Sequence, residues 1–239
     1  MAEPARSLLD LVGNTPLVEL PQLSPKPEVK LYAKLEGQNP TGSIKDRVAL
    51  AMVEAAELEP GQELLEPTSG NTGISLALVA RLKGYRLTCV MPENVTEERR
   101  RLLRLYGAEI IESPGAEGSN GAVRVAQELA EREPRYRMLF QYANEANPQA
   151  HYEGTGAEIA AVLERVDVLV AGLRALLDRE GVFAGVSSGA VVHAARKLAA
   201  ELDEGVVVAV LADAGWKYLS APFWDAADPE AEMEEAVWW

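Results

Sequence analysis

ELLEPTSGNTGISLALVARLKGYRLTCVMP, residues 63–92, is the stretch that decides the fold. ELLEPT is a short apolar run that stops at a proline, which reads as a strand. NTGISLALVARLKG is too long for a strand and closes on Gly84, the signature of a helix with a glycine stop. RLTCVMP is again a short apolar run. A strand, a helix and a second strand within thirty residues form a crossover between parallel neighbours.

The same rhythm extends outward in both directions. Upstream, VKLYAKLE (29–36) reads as a strand and DRVALAMVEAAELE (46–59) as a helix. Downstream, TEERRRLLRLYG (96–107) is a helix capped by Thr96 and ended by Gly107. AEIIES, SNGAVRVAQELAERE and RMLFQY continue as strand, helix and strand. Beyond residue 150 come a helix (GTGAEIAAVLE), a strand (VDVLVAGL), a helix (RALLDREG), a further helix (SGAVVHAARKLAAEL) and the strand VVVAVLA. The predicted class is α/β, with mostly parallel sheets flanked by helices. No internal repeat is present.

Bulk composition narrows the function. The 239 residues carry a formal net charge of -14, which disfavours nucleic acid or an anionic membrane surface as partner. The single cysteine, Cys89, lies in an apolar run and reads as a buried, inert thiol. It leaves no intrachain disulfide and no multi-cysteine zinc site. His151 and His193 have no ligand cluster around them and read as a turn residue and a helix residue, so no metal is expected. No run of ~18 apolar residues exists, and MAEPARSLLD lacks the form of a signal peptide, so the cytoplasm is expected. AADPEAEMEEAVWW is acidic with an apolar tip, which calls for burial of Val237, Trp238 and Trp239 or for a partner.

In open parallel sheets, ligands gather at the carboxyl ends of the strands. Three loops expected there are rich in small polar residues: NPTGSIKDR (39–47), EPTSGNTG (66–73) and GVSSGA (185–190). In the second, Thr68, Ser69, Gly70, Asn71 and Thr72 lead into a helix N-terminus, whose free N–H groups and dipole suit a carboxylate or phosphate. A helix-capping loop without a ligand is the competing reading. The third loop repeats the arrangement with Ser187 and Ser188. Neither is a Walker loop or a GxGxxG fingerprint. Lys45 adjoins a Gly-Ser turn at a strand-to-helix junction, where its amine could act as a nucleophile on a carbonyl ligand. A solvated surface lysine is the alternative.

The ordered series GNTPLV (13–18), KLEGQNPTGSIKDR (34–47), EPTSGNTGISLA (66–77), MPE (91–93), QY (141–142), HYEGTG (151–156), GVSSGA and GWKYLS (215–220) resembles the cysteine synthase, or O-acetylserine sulfhydrylase, family. The resemblance spans about residues 8 to 222. EPTSGNTGISLALVARLKGYRL, CVMPEN and ADAGWKYLS look most like the actinobacterial B-type enzymes.

That resemblance implies the second pyridoxal-phosphate fold type, with a smaller mobile domain at 37–140 and a larger cofactor domain from 1–36 plus 141–239. It implies that Lys45 holds pyridoxal 5'-phosphate as a Schiff base and acts as general base. Asn71 would bond the cofactor's phenolic oxygen, and Ser187 would face the pyridine nitrogen. Thr68, Ser69, Gly70 and Thr72, with Gln141, would clasp the substrate carboxylate. The implied reaction is β-replacement on O-acetylserine or O-phosphoserine through an α-aminoacrylate. Sulfide or the thiocarboxylate of a sulfur carrier protein would be the donor, and a homodimer is implied. The competing readings are a cystathionine β-synthase, a serine/threonine dehydratase and an inactive binding paralogue.

One departure stands out. After VLVAG, relatives carry a GTGGT-like loop for the cofactor phosphate and then further elements. Here Leu173 is followed at once by RALLDREGVFAG. A smaller irregularity falls at AAELEPGQ (55–62), where relatives have a few more residues. Residues left out of the sequence at the junction, or a true deletion, both fit. The first is favoured, and it expects the Leu173 carbonyl and the Arg174 nitrogen to lie far apart, where a peptide bond would hold them ~1.33 Å apart.

Overall fold

The computed structural model describes residues 4–171, 180–185 and 187–218. The Leu173–Arg174 junction, the helix expected at 174–181 up to residue 179, and the apolar tip lie outside the described residues.

Two four-stranded sheets organise the chain. The first has the order β1 (Leu17–Glu19), β2 (Val29–Leu35), β8 (Gly205–Leu211), β7 (Val168–Ala171). Only β1 runs antiparallel. The second has the order β5 (Glu109–Ser113), β4 (Leu87–Pro92), β3 (Glu63–Pro67), β6 (Tyr136–Met138), and all its pairs are parallel. The α/β reading with mostly parallel sheets therefore holds. β3 and β4 are buried at every position, as expected of strands covered on both faces.

Helices α1 (Lys45–Glu54), α2 (Asn71–Lys83) and α3 (Glu97–Tyr106) cover one face of the second sheet. Val48, Met52, Leu64, Leu76, Cys89 and Leu103 share its core. α4 (Gly118–Arg132) covers the other face through Ala122, Ala126 and Leu129 against Leu65 and Val90. Cys89 is fully buried, and burial pushes its thiol up to about 12, as an inert core residue requires. On the first sheet, α7 (Ser187–Glu201) packs Val191, Val192 and Ala195 against Leu31, Val207 and Ala209. His193 lies on this helix.

Several local expectations are corrected. Thr96 precedes α3 but makes no side-chain cap, because its backbone leaves the hydroxyl without a bond to the first turn. The strand at RMLFQY ends at Met138, because Phe140 turns to a φ of 54° and leaves the ladder. GTGAEIAAVLE is not one regular helix: α5 (Ala146–Ala150) opens into a π turn (His151–Gly156), followed by the short α6 (Ala157–Ala160). DRVALAMVEAAELE ends at Glu54, and the short 55–62 connection turns through Glu57 at φ 44° and Gly61 at φ 87°.

A buried ionic cluster ties α1 to the first sheet. Arg47 donates to both oxygens of Glu36 at 2.7 and 2.9 Å and to both oxygens of Glu158 at 2.6 and 2.7 Å. Lys34 on β2 joins at 2.6 Å from Glu158. Burial alone would raise the Glu158 pKa, but Arg47, Lys34 and the Asn14 N–H hold it down at about 2. Glu36 is 0% exposed. Replacing Arg47 with methionine strands that charge, so a loss of about 3–5 kcal/mol is expected in urea unfolding.

Candidate active site

The lysine loop is bolted to the carboxyl end of β8. Ser43 bridges to Asp213, and the Ile44 N–H donates to the Ala212 carbonyl at 2.7 Å. Gly42 sits at φ 80°, where a Cβ would lie 2.7 Å from the Trp216 ring, so only glycine fits this turn. The buried Asp46 carboxylate gathers the loop by accepting from the Thr41 N–H at 2.6 Å, the Thr41 hydroxyl and the Ser75 hydroxyl at 2.5 Å. These bonds place Lys45 at the first position of α1, half-buried. Burial lowers its pKa, against the opposing pull of the Asp213 carboxylate.

Asn71, the first residue of α2, faces the same carboxylate. Its Nδ2 donates to Asp213 Oδ2 at 2.7 Å, and its Oδ1 accepts from Lys217 Nζ at 2.8 Å. Burial lowers the pKa of Lys217 as well, opposed by Asp213 and Asp46. Lys45, Asn71, Asp213 and Lys217 thus form one cluster where the two sheets meet. His151 belongs to its margin: burial lowers its pKa, and the Lys45 charge adds to that. Its Nδ1 lies 3.2 Å from the Thr155 hydroxyl within the π turn.

Beside this cluster is a cavity of about 200 Å³. Thr68, Ser69, Gly70, Thr72 and Gln141 line it, joined by Tyr142 and Ser119. The Thr72 hydroxyl donates to Gln141 Oε1 at 2.7 Å. Gly70 is the N-cap of α2 and provides no side-chain cap, so the first N–H groups of the helix stay available to an anion. The five residues read as a carboxylate clasp therefore converge, while Lys45, Asn71 and Ser187 do not line this cavity.

Ser187 is exposed at the start of α7, and the Gly185 N–H donates to the Asp213 carbonyl at 2.8 Å, which seats that loop beside the cluster. The neighbouring Ser188 is buried, and its hydroxyl has no hydrogen-bond partner among the described residues.

Comparisons with known proteins give the family. The family described as pyridoxal-phosphate dependent enzyme matches residues 8–175. Cysteine synthase B of Pseudomonas aeruginosa is 36% identical over 292 positions, covering 92% of this chain and 97% of the relative. The chain belongs to the cysteine synthase family of pyridoxal-phosphate dependent enzymes. An O-acetyl serine sulfhydrylase isoform 3 of Entamoeba histolytica superposes with a TM-score of 0.88 at 26% identity, over 95% of each chain. An O-ureido-L-serine synthase superposes with a TM-score of 0.87 at 32% identity, over 97% of this chain and all of the other.

The 292 aligned positions exceed the 239 residues of this chain by 53, so it lacks at least that many positions of this cysteine synthase relative. The family match stops at residue 175, beside the junction where the motif order breaks.

The residues fit the reactive end of pyridoxal phosphate. They supply a half-buried amine on Lys45, an amide on Asn71, and the buried, unpartnered Ser188 hydroxyl at the first turn of α7. The fit stops at the phosphate: no glycine-threonine loop follows β7 in the sequence.

Asp213, Lys217 and Glu66 escaped the sequence reading as individuals. Asp213 and Lys217 stood inside ADAGWKYLS and carried no periodicity of their own. Glu66 looked like an ordinary strand residue, yet it is 0% exposed, and burial raises its pKa to about 7 against hydrogen bonds from Gln141 and Phe140. A carboxyl raised from the ordinary 4.5 favours the folded state fully below 4.5, and that contribution is lost as pH rises to about 7. Between pH 4.5 and 8 the chain is expected to lose about 3 kcal/mol that Glu66→Gln does not lose. Urea midpoints at the two pH values measure it.

Proposed function

We propose that the chain is a cysteine synthase, catalysing β-replacement on an O-activated serine. The observation that carries this is the Lys45 amine, half-buried and lowered in pKa, held with Asn71 against Asp213 and one helix end away from the Thr68–Gln141 clasp. The cysteine synthase relatives support the reading.

Pyridoxal phosphate, when bound, supplies the electron sink that lets the α-proton leave and the Cβ substituent depart. The protein does the rest. Thr68, Ser69, Gly70 and Thr72 present hydroxyls and the α2 N–H groups to the substrate carboxylate, and Gln141 closes the clasp. The lowered pKa leaves more of the Lys45 amine unprotonated near neutrality, so it takes the α-proton as a base and returns it after the nucleophile has added at Cβ. Asn71, held by Lys217 and Asp213, offers its amide to the cofactor's phenolic oxygen. Ser187, exposed at the start of α7, would present a neutral hydroxyl to the pyridine nitrogen, which would favour elimination over transamination. Residues 37–140 form the smaller unit, which closes on the larger one to exclude water.

The substrate is O-acetylserine or O-phosphoserine, and the donor is sulfide or a carrier-protein thiocarboxylate. The protein acts as a cytoplasmic homodimer, with the half-exposed Leu8 and Leu11 offering apolar area to a second copy. Among the described residues, no helix is long and apolar enough to cross a membrane.

The test is an absorbance titration of the full chain with pyridoxal phosphate, followed by addition of O-acetylserine or O-phosphoserine and then sulfide. A visible band that shifts with the amino acid, followed by cysteine as product, is the expected result. An absent band would return the chain to a binding role. Similarity to an O-ureido-L-serine synthase and to a hydrogen sulfide-producing enzyme of Fusobacterium nucleatum makes product analysis the arbiter of the nucleophile.

A further inference from the structure

Glu66 is a buried charged side chain of the second sheet to which the proposed chemistry gives no role. It lies near the carboxyl end of the central strand β3, one residue before Pro67 and two before Thr68. Its side chain is 0% exposed. Burying a carboxylate is costly unless its oxygens are satisfied. Here they are satisfied by a single neighbouring turn. Oε2 accepts from the Phe140 N–H at 2.7 Å, and Oε1 accepts from the Gln141 N–H at 3.1 Å.

That turn is under strain. Phe140 stands at φ 54°, a region that a bulky residue rarely occupies. β6 has just ended at Met138, so its ladder no longer supplies acceptors for these two N–H groups. The Glu66 carboxylate takes over that task, and its two oxygens match two successive donors. The consequence lies one atom group further on. With its backbone pinned, Gln141 directs its side chain to the Thr72 hydroxyl at 2.7 Å, and Tyr142 forms cavity wall beside it. The chain of contacts is continuous: Glu66 carboxylate, 140–141 backbone, Gln141 side chain, Thr72, cavity.

We propose that Glu66 is the positioning residue of the carboxylate clasp, locking the Phe140–Gln141 turn through two backbone N–H groups and so holding Gln141 against Thr72. The proposal rests on the reading that Thr72 and Gln141 bind the substrate carboxylate. Glu66 itself touches no substrate. Its carboxylate converts a strained turn into a fixed wall of the cavity.

The test, run well above the pKa of Glu66 so that it is ionised, uses the full chain saturated with pyridoxal phosphate, L-serine as the carboxylate-bearing probe, and the variants Glu66→Gln, Glu66→Asp and Gln141→Ala. Glutamine preserves shape and burial, but its amide nitrogen cannot accept, so one of the two N–H groups loses its partner. Amide exchange at Phe140 and Gln141 is expected to speed up about tenfold in Glu66→Gln, and the calorimetric Kd for L-serine to rise about tenfold. In a Gln141→Ala background, Glu66→Gln is expected to change that Kd no further, because the link it controls is already cut. Glu66→Asp keeps the charge but withdraws it by one methylene, and is expected to show smaller losses of both kinds.

Unchanged exchange at 140 and 141, or an unchanged Kd in a folded Glu66→Gln, overturns the proposal while leaving the clasp intact. An unchanged Kd in Gln141→Ala, or no binding to the unsubstituted chain, overturns the clasp reading and the proposal with it.

Discussion

Replacing Lys45 with alanine is expected to abolish the visible absorbance of added pyridoxal phosphate and to lower cysteine formation by ~10³-fold or more. Two losses coincide at one position. On the proposed reading the amine would both bond the cofactor and move the α-proton, so its removal would take away two functions at once.

The site contains a second half-buried amine, which makes the experiment discriminating. Lys217 Nζ lies 2.8 Å from Asn71 Oδ1 and, like Lys45, has its pKa lowered by burial. It bonds the amide, whereas Lys45 stands at the start of α1 with the Asp213 charge nearby. Lys217→Ala is therefore expected to keep the absorbance band while shifting its position, since the Asn71 amide loses the partner that orients it. A band retained in Lys45→Ala and lost in Lys217→Ala would move the covalent role to Lys217.

The second large effect concerns the phosphate. In a chain with a glycine-threonine loop, several backbone N–H groups and hydroxyls donate to a dianion, each bond worth about 1.5–3 kcal/mol. Pyridoxal without its phosphate would then bind far more weakly than the phosphate ester. This chain passes from β7 to RALLDREG with no such loop and lacks at least 53 positions of its Pseudomonas aeruginosa relative. A true deletion of the loop accordingly predicts that pyridoxal and pyridoxal phosphate bind with affinities within about tenfold of each other. Competition titrations followed by absorbance measure the ratio. A preference of 10³-fold or more for the phosphate ester would show that another segment has taken over the loop's task.

Much of the fold was legible because it rests on local signals. The alternation of apolar runs with longer glycine-stopped segments placed β2 to β5 and α1 to α4, and Gly84 and Gly107 do take the left-handed conformation expected at helix ends. What escaped was decided by distant partners. RMLFQY has the composition of a strand throughout, but Phe140 leaves the ladder at φ 54° and the N–H groups of Phe140 and Gln141 turn to the Glu66 carboxylate instead. GTGAEIAAVLE has helical spacing, yet it begins inside a π turn, beside a Glu158 pulled toward Arg47 and Lys34.

The site divides in the same way. Sequence alone, through the order of its motifs, determined the family and singled out Lys45 and the 68–72 loop as candidates, because those residues are contiguous in short stretches that the eye can compare. Tertiary structure alone decided that Asn71 meets Asp213, whose charge also reaches Lys45, that Lys217 grips the same amide, and that Glu66 lies behind Gln141. Those contacts join residues 71 and 213, 71 and 217, and 66 and 141. A carboxylate carries no mark in sequence of which distant donor it will meet, and only the folded sheets bring the two together.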